Sequence, residues 1–240
     1  MEEFRPRLNR EEWEIILGIR NSNRGGGVLE IGDLHEPFCL DDYLDFCIEQ
    51  KQRYKTEKVV FIGDIIDNHY ASYHETDPDG MSALDELNYA IERIKKWRDA
   101  FPEATVIIGN HDRLVMRKAF SAGISKKWIK SYKEVLETPG WEFTEEYILN
   151  DTLYVHGEQG GALARAKADL ISTVQGHRHT EAYTDFVVGK NFKIFGKQVG
   201  CGIDKDSYAM AYAKAGRKPA IGVGITLDYG KLPFNVMMDL

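Results

Sequence analysis

Five times in this chain a short, mostly apolar run ends abruptly in a loop of glycine, aspartate, asparagine and histidine. Residues 28–31 run into Gly32-Asp33-Leu34-His35, and residues 58–62 into Gly63-Asp64-Ile65-Ile66-Asp67. Residues 104–108 stop at Gly109-Asn110-His111-Asp112, residues 152–155 at His156-Gly157, and residues 171–175 at Gly176-His177-Arg178-His179. Runs this short, bounded by breakers, predict strands buried on both faces. The segments between the first three runs have helical spacing. Leu40, Tyr43, Leu44, Cys47 and Ile48 mark one helix. Leu84, Leu87, Ile91, Ile94 and Trp97 mark a second, opened by a weak capping box of Ser82 and Asp85 and closed before Pro102. The order βαβαβ asks for a parallel or mixed sheet covered by helices.

Beyond that unit, helical spacing returns over residues 113–137, interrupted near Gly123. Residues 141–149 and 152–155 flank a hairpin turn at Asn150-Asp151, and residues 161–170 predict a short helix. Two more hairpins follow, 183–188 with 192–199 and 221–227 with 234–238. They are expected to add antiparallel strands as a second sheet packed on the first. Residues 68–80 are polar and irregular, which predicts a loop. No repeat or Pro/Gly/Ser-rich linker interrupts the chain, so residues 1–240 are expected to form a single domain. The class is α/β, with two sheets and flanking helices.

Composition excludes several functions. The chain has 240 residues, with 31 Lys and Arg against 38 Asp and Glu, a formal charge of −7. That balance disfavours broad binding to duplex DNA, which needs a basic footprint. No apolar stretch approaches the roughly 18 residues that span a bilayer. Residues 1–10 are charged and lack the apolar core of a secretory signal. Cys39, Cys47 and Cys201 are few, odd in number and without CxxC spacing, so neither a disulfide-linked partner nor a thiolate metal site is expected. A reducing, cytoplasmic location fits. Nothing in the sequence sets the oligomeric state.

The residue types in the five loops point to metal. Carboxylate, amide oxygen and imidazole suit Mn, Zn or Fe, and enough donors are present for two ions. Asp33 and His35 are two residues apart, as are His177 and His179, so each pair projects to one side of an extended segment. Five of the seven histidines fall in these loops. A lone Asp or His at a strand end is usually a turn residue; five such blocks together are hard to read that way.

In order, the blocks read D-x-H, GD-x-x-D, GNH-D, a lone His after a strand, and GH-x-H. The set resembles the calcineurin-like metallophosphoesterase superfamily, in its small stand-alone form, over roughly residues 28–179. The resemblance implies two mixed sheets sandwiched by helices. It implies a first metal held by Asp33, His35 and His179, a second held by Asn110, His156 and His177, and Asp64 bridging both. His111 would protonate the leaving oxygen or steady the transition state, Asp112 would orient His111, and Asp67 would support the Asp64 loop. The implied reaction is attack of a metal-bridging hydroxide on phosphorus, with manganese the first choice of metal and zinc, iron or nickel the alternatives. In the protein phosphatase branch an Arg follows GD-x-x-D; here Asn68 follows Asp67. A diester carries less charge than a monoester and needs less cationic clamping. The expected substrate is therefore a phosphodiester, a nucleotide or single-stranded nucleic acid. A phosphomonoesterase is the alternative, and a non-catalytic scaffold a weaker one.

Other features have bland readings. His74 is expected in solvent, and His69 is left open between solvent and substrate. Lys126, Lys127, Lys130 and Lys133 read as the wet face of a helix, with grip on nucleic-acid phosphates as the alternative. Trp128 and Tyr132, four apart, are expected to pack in the core or as a cap. Arg178 alternates away from its neighbours, as a rim or surface residue. Gly25 to Gly27 lack the Lys-Ser/Thr of a phosphate-binding loop.

Overall fold

The computed structural model describes residues 26–73, 79–204, 206–207 and 218–239. His74 and residues 1–10 lie outside them. Eleven strands in the described residues form two sheets. The first has the order β11 (Leu232–Met237), β10 (Gly222–Leu227), β1 (Val28–Ile31), β2 (Lys58–Phe61), β3 (Ala104–Ile107) and β4 (Trp141–Thr144). Strands β1 to β4 run parallel, and β10 pairs antiparallel with both β1 and β11. The second sheet has the order β5 (Glu146–Leu149), β6 (Thr152–Val155), β7 (Ser172–Gln175), β9 (Lys193–Gln198) and β8 (Tyr183–Val188).

Helices α1 (Tyr43–Tyr54) and α2 (Ala83–Ala100) cover the first sheet, and α5 (Ala162–Asp169) lies on the second. Strand alternation explains the continuous apolar runs. Leu29, Ile31, Val59 and Phe61 face α1 and α2, where Tyr43, Ile94 and Trp97 are buried. Their neighbours Val28, Val60 and Ile62 face the other sheet, against Tyr154, Val174 and Phe195. Each such side chain removed from water contributes about 1.5–3 kcal/mol. Glu30 shares that inner face. It meets the ammonium of Lys197 at 2.6 Å, and both are fully buried.

Four expectations need correction. Residues 141–149 are not one strand: the chain leaves the first sheet after Thr144 and enters the second at Glu146. The last hairpin, β10–β11, joins the first sheet beside β1, not the second. The buried face of α2 runs through Glu86, Ala90, Ile94 and Trp97, while Leu84 is exposed. Trp128 does not pack in the core. It is 86 % exposed, although Tyr132 stacks on Phe143 at 5.5 Å. Residues 113–137 fold as α3 (Leu114–Ser121), a 3-10 turn (Lys126–Trp128) and α4 (Tyr132–Val135). The Asn150-Asp151 turn is as expected, with both residues at positive φ, which suits a tight hairpin.

Candidate metal centre

All five loops sit at the carboxyl ends of their strands, where α/β sheets offer ligand sites. Asp33, Asp64 and Asn110 follow β1, β2 and β3 of the first sheet; His156 and the His177–His179 pair follow β6 and β7 of the second. Donor atoms of Asp33, His35, Asp64 and His179 lie within 4.8 Å of one another, as do those of Asp64, His156 and His177. Asp64 belongs to both groups. Asn110 joins the second, its Oδ1 at 2.9 Å from His156 Nε2.

The backbone is arranged for this convergence. His35, Asp64 and His177 adopt positive φ of 50°, 49° and 69°, a region that non-glycine residues seldom occupy. Gly109 and Gly176 provide space. A Cβ at Gly109 would fall 2.1 Å from Asp64 Oδ1, and one at Gly176 2.4 Å from Asp33 Oδ2. The carboxylates are held by amides: both Asp33 oxygens accept from the His177 N–H, and Asp64 Oδ1 accepts from the His111 N–H at 2.8 Å.

Hydrogen bonding orients the imidazoles. His156 Nδ1 donates to the Ile62 carbonyl at 2.8 Å, which turns Nε2 inward. Nε2 faces Asp64 Oδ2 at 3.1 Å, Asn110 Oδ1 and His177 Nδ1 at 3.2 Å. His35 Nδ1 bonds Asp67 Oδ1 at 2.6 Å, which turns His35 Nε2 toward Asp64 Oδ2. His35 Nε2, Asp64 Oδ2 and His179 Nε2 are buried and have no hydrogen-bond partner among the described residues. Lone pairs pointing at one another without a proton repel, and a cation between them removes the conflict. Among the described residues, no Lys or Arg pairs with Asp33, Asp64, Asp67 or Asp112. The donor set therefore fits divalent cations.

Charge effects agree. Burial alone would raise Asp64, but His156, His35 and His111 hold it well below the usual carboxylate range. Burial pushes His35 and His177 down, toward the neutral form a ligand needs. For His156 burial also opposes charge, yet Asp64 and Asp33 raise it to about 10, so a proton is drawn there when no cation is present. His111 follows the same logic: burial opposes its charge, while Asp67 and Asp64 raise it to about 9.

A family model described as calcineurin-like phosphoesterase matches residues 27–193. The chain belongs to the calcineurin-like phosphoesterase family. No curated protein sequence matches it. Among solved structures, it is similar to a metallophosphoesterase from Sphaerobacter thermophilus (13% identity, TM-score 0.44, covering 89% of this chain and 88% of that one). It is also similar to a nuclease, MPE, from Pseudomonas putida (15%, TM-score 0.41, 87% of each chain) and to a Vps29 variant from Entamoeba histolytica (15%, TM-score 0.42, 89% and 99%). Family membership and the Asp/His cluster together support a phosphoester hydrolase that uses divalent metal ions. No helix among the described residues is long and apolar enough to cross a membrane.

In this member of the calcineurin-like phosphoesterases, the contact expected between Asp112 and His111 is made by a different residue. Asp112 does not reach the His111 ring. Its oxygens accept from the backbone N–H groups of Ile65, Ile66 and Gly109, which ties two of the loops together. Asp67 holds His111 instead: His111 Nδ1 lies 2.7 Å from the Asp67 carbonyl and 3.3 Å from its carboxylate. Asp67 also holds His35, so one carboxylate serves a candidate ligand and the candidate acid. The GD-x-x-D spacing signalled a supporting carboxylate but not its double use. Asn68, at φ 52°, donates its amide to the His111 carbonyl at 3.0 Å. His69 is buried rather than solvent-exposed, and its N–H bonds Glu86 at 2.7 Å. Arg178 pairs with Glu181 on the surface.

Proposed function

We propose that this chain is a two-metal phosphoester hydrolase that favours diesters. The observation that carries it is the pair of donor groups sharing Asp64, with unpartnered nitrogen and oxygen atoms turned inward. When bound, two cations would supply Lewis acidity and a water of lowered pKa. Asp33, His35, Asp64 and His179 would hold one ion, and Asp64, Asn110, His156 and His177 the other. Manganese suits these oxygen and imidazole donors, and no thiolate competes, since burial pushes the Cys201 thiol up to about 12.

The chain's own part in the chemistry centres on His111. Its Nδ1 is engaged by Asp67, which leaves Nε2 to carry a proton toward the leaving oxygen of a substrate. His111 is partly exposed, as is His179, whereas Asp33, His35, Asp64 and His156 are buried. Substrate thus approaches from the His111 and His179 side. Diester preference rests on the absence of a clamp. Asn68 is turned inward to brace the His111 loop, Arg113 pairs with Glu158, and Arg178 pairs with Glu181. A monoester dianion would find no free guanidinium among these groups.

The test combines metal analysis with turnover. After growth with manganese the protein should carry close to two ions. It should cleave bis-p-nitrophenyl phosphate with higher kcat/KM than p-nitrophenyl phosphate at equal ionic strength. Asp64→Asn should lose metal and activity together, while His111→Ala should keep its metal and lose about 10²–10⁴-fold in rate. A clear monoester preference across two substrate pairs would make the chain a phosphomonoesterase. Failure to bind metal would overturn the proposal altogether.

A further inference from the structure

Residues 113–133 hold seven Lys and Arg and no Asp or Glu, in a chain whose net charge is −7. The rest of the chain therefore keeps 24 cations (31 − 7) against 38 acids. The segment is exposed without a break from Phe120 to Trp128. Arg113 and Lys133, at its ends, pair with Glu158 and Glu142. Arg117, Lys118, Lys126, Lys127 and Lys130 have no carboxylate within ion-pair distance among the described residues; Glu134, four residues after Lys130, instead accepts from the Ser131 N–H and hydroxyl in a capping box. Large apolar rings stand among these charges. Phe120 is 79 % exposed, Trp128 86 % and Tyr73 60 %. Leaving such rings in water is costly, and their interleaving with unpaired cations is what a strand of stacked bases and phosphates would complement.

The patch is continuous with the metal centre. Helix α3 starts three residues after His111, and Leu114 N–H bonds the His111 carbonyl. Tyr73 lies in the segment that follows β2 and carries Asp64 and Asp67, two residues past the His69–Ala71 turn. Two outgoing segments are thus tied side by side, at the bottom by Asn68 on the His111 carbonyl and further out by Tyr73, whose ring lies 5.2 Å from the Arg117 guanidinium and 5.3 Å from the Lys118 ammonium. Helix α3 packs against both the His69–Ala71 turn and the Lys126–Trp128 turn. About 9 Å of helix rise separates Leu114 from Phe120, so a few nucleotides would bridge the outer rings and His111.

We propose that Tyr73, Arg117, Lys118, Phe120 and the Lys126–Trp128 turn form a platform for single-stranded nucleic acid that leads the strand to His111. The role of His111 in it rests on the hydrolase reading above. Unpaired bases are required, because a duplex hides the ring faces that Phe120 and Trp128 would stack on. The platform gives grip without base identity, since every base has such a face.

The test uses fluorescein-labelled oligothymidylate of twelve nucleotides and fluorescence anisotropy, in a His111→Ala background to slow cleavage. Trp128→Ala and Phe120→Ala should each weaken binding roughly 5- to 150-fold. Lys126→Gln/Lys127→Gln should lower the slope of log affinity against log salt by about 1.4, two phosphate contacts at about 0.7 each. In the otherwise wild-type protein, none of these changes should alter kcat/KM on bis-p-nitrophenyl phosphate, which is too small to reach the patch. Unchanged oligonucleotide affinity in both aromatic variants would overturn the platform, as would tight binding to phosphatidylserine vesicles with none to the oligonucleotide. If the wild type bound the oligonucleotide through Trp128 but hydrolysed no diester, the hydrolase reading would fail and the platform would stand.

Discussion

Asp67 and Asp112 are both buried carboxylates beside the candidate acid His111, yet their partners predict opposite consequences of neutralising them. Asp67→Asn keeps the shape and removes the charge from two contacts, one to His35 Nδ1 at 2.6 Å and one to His111 Nδ1 at 3.3 Å. A hydrogen bond to a charged group is worth about 1.5–3 kcal/mol and a neutral one about 0.5–1.5. The loss at His35 alone is then about 1–2 kcal/mol, or roughly 5- to 30-fold in metal affinity. With metal saturating, a further loss of about tenfold in kcat remains, because His111 is less firmly held. Asp112→Asn instead places an amide N–H₂ against backbone N–H donors of Gly109 or of Ile65 and Ile66. It should cost about 1–3 kcal/mol of stability and leave kcat at saturating metal within about threefold. Manganese titration, kcat on bis-p-nitrophenyl phosphate at saturating metal, and urea midpoints separate the two cases. If Asp112→Asn abolished turnover while Asp67→Asn preserved both metal affinity and kcat, the assignment of Asp67 to His111 would be wrong.

Two further perturbations probe buried charges outside the metal centre. Burial pushes Glu86 up to about 7, so the folded state holds its proton more tightly than the unfolded chain; the associated stability is full below pH 4.5 and lost as pH rises through 7. Glu86→Gln should therefore gain about 1–3 kcal/mol at pH 8, discounted for partial screening, and nothing at pH 4, read from urea midpoints at both pH values; an equal gain at both would refute the titration. Between the sheets, burial raises Glu30 and lowers Lys197 despite their pairing, so Lys197→Met should cost about 3–5 kcal/mol by stranding Glu30, whereas Glu30→Met with Lys197→Met should recover most of it. A double variant as unstable as the single one would show that volume, not charge, decides.

What was legible in the sequence was local. Each strand and its stopping residue are read from a run of apolar side chains meeting glycine, and the structure brings the donors at those stops together. The layer a strand joins is not a local property. Residues 141–149 carry one alternating pattern, yet Glu145 is where the chain passes between sheets, and β10–β11 looks like any hairpin until β1 offers it an edge. The same gap explains Asp112: its position beside His111 in sequence suggested a side-chain contact, but the turn after Gly109 folds its carboxylate back onto amides. Spacing also misplaced Leu84 and Trp128, because periodicity marks a face without saying whether anything covers it. Trp128 has the spacing of a packed residue, yet its ring stands in solvent.

The donors are divided between the sheets in a way that bears on the order of folding. The first group takes Asp33, His35 and Asp64 from one sheet and His179 from the other; the second takes Asp64 and Asn110 from one, His156 and His177 from the other. Neither sheet alone holds a full set. Cation capture would therefore report the moment the two halves dock, later than the closing of either sheet. A refolding chain mixed with manganese should acquire strand signal first and tight metal last. Once seated, the ions would act as rivets across the seam, slowing hydrogen exchange at the ends of β1, β2, β6 and β7 together.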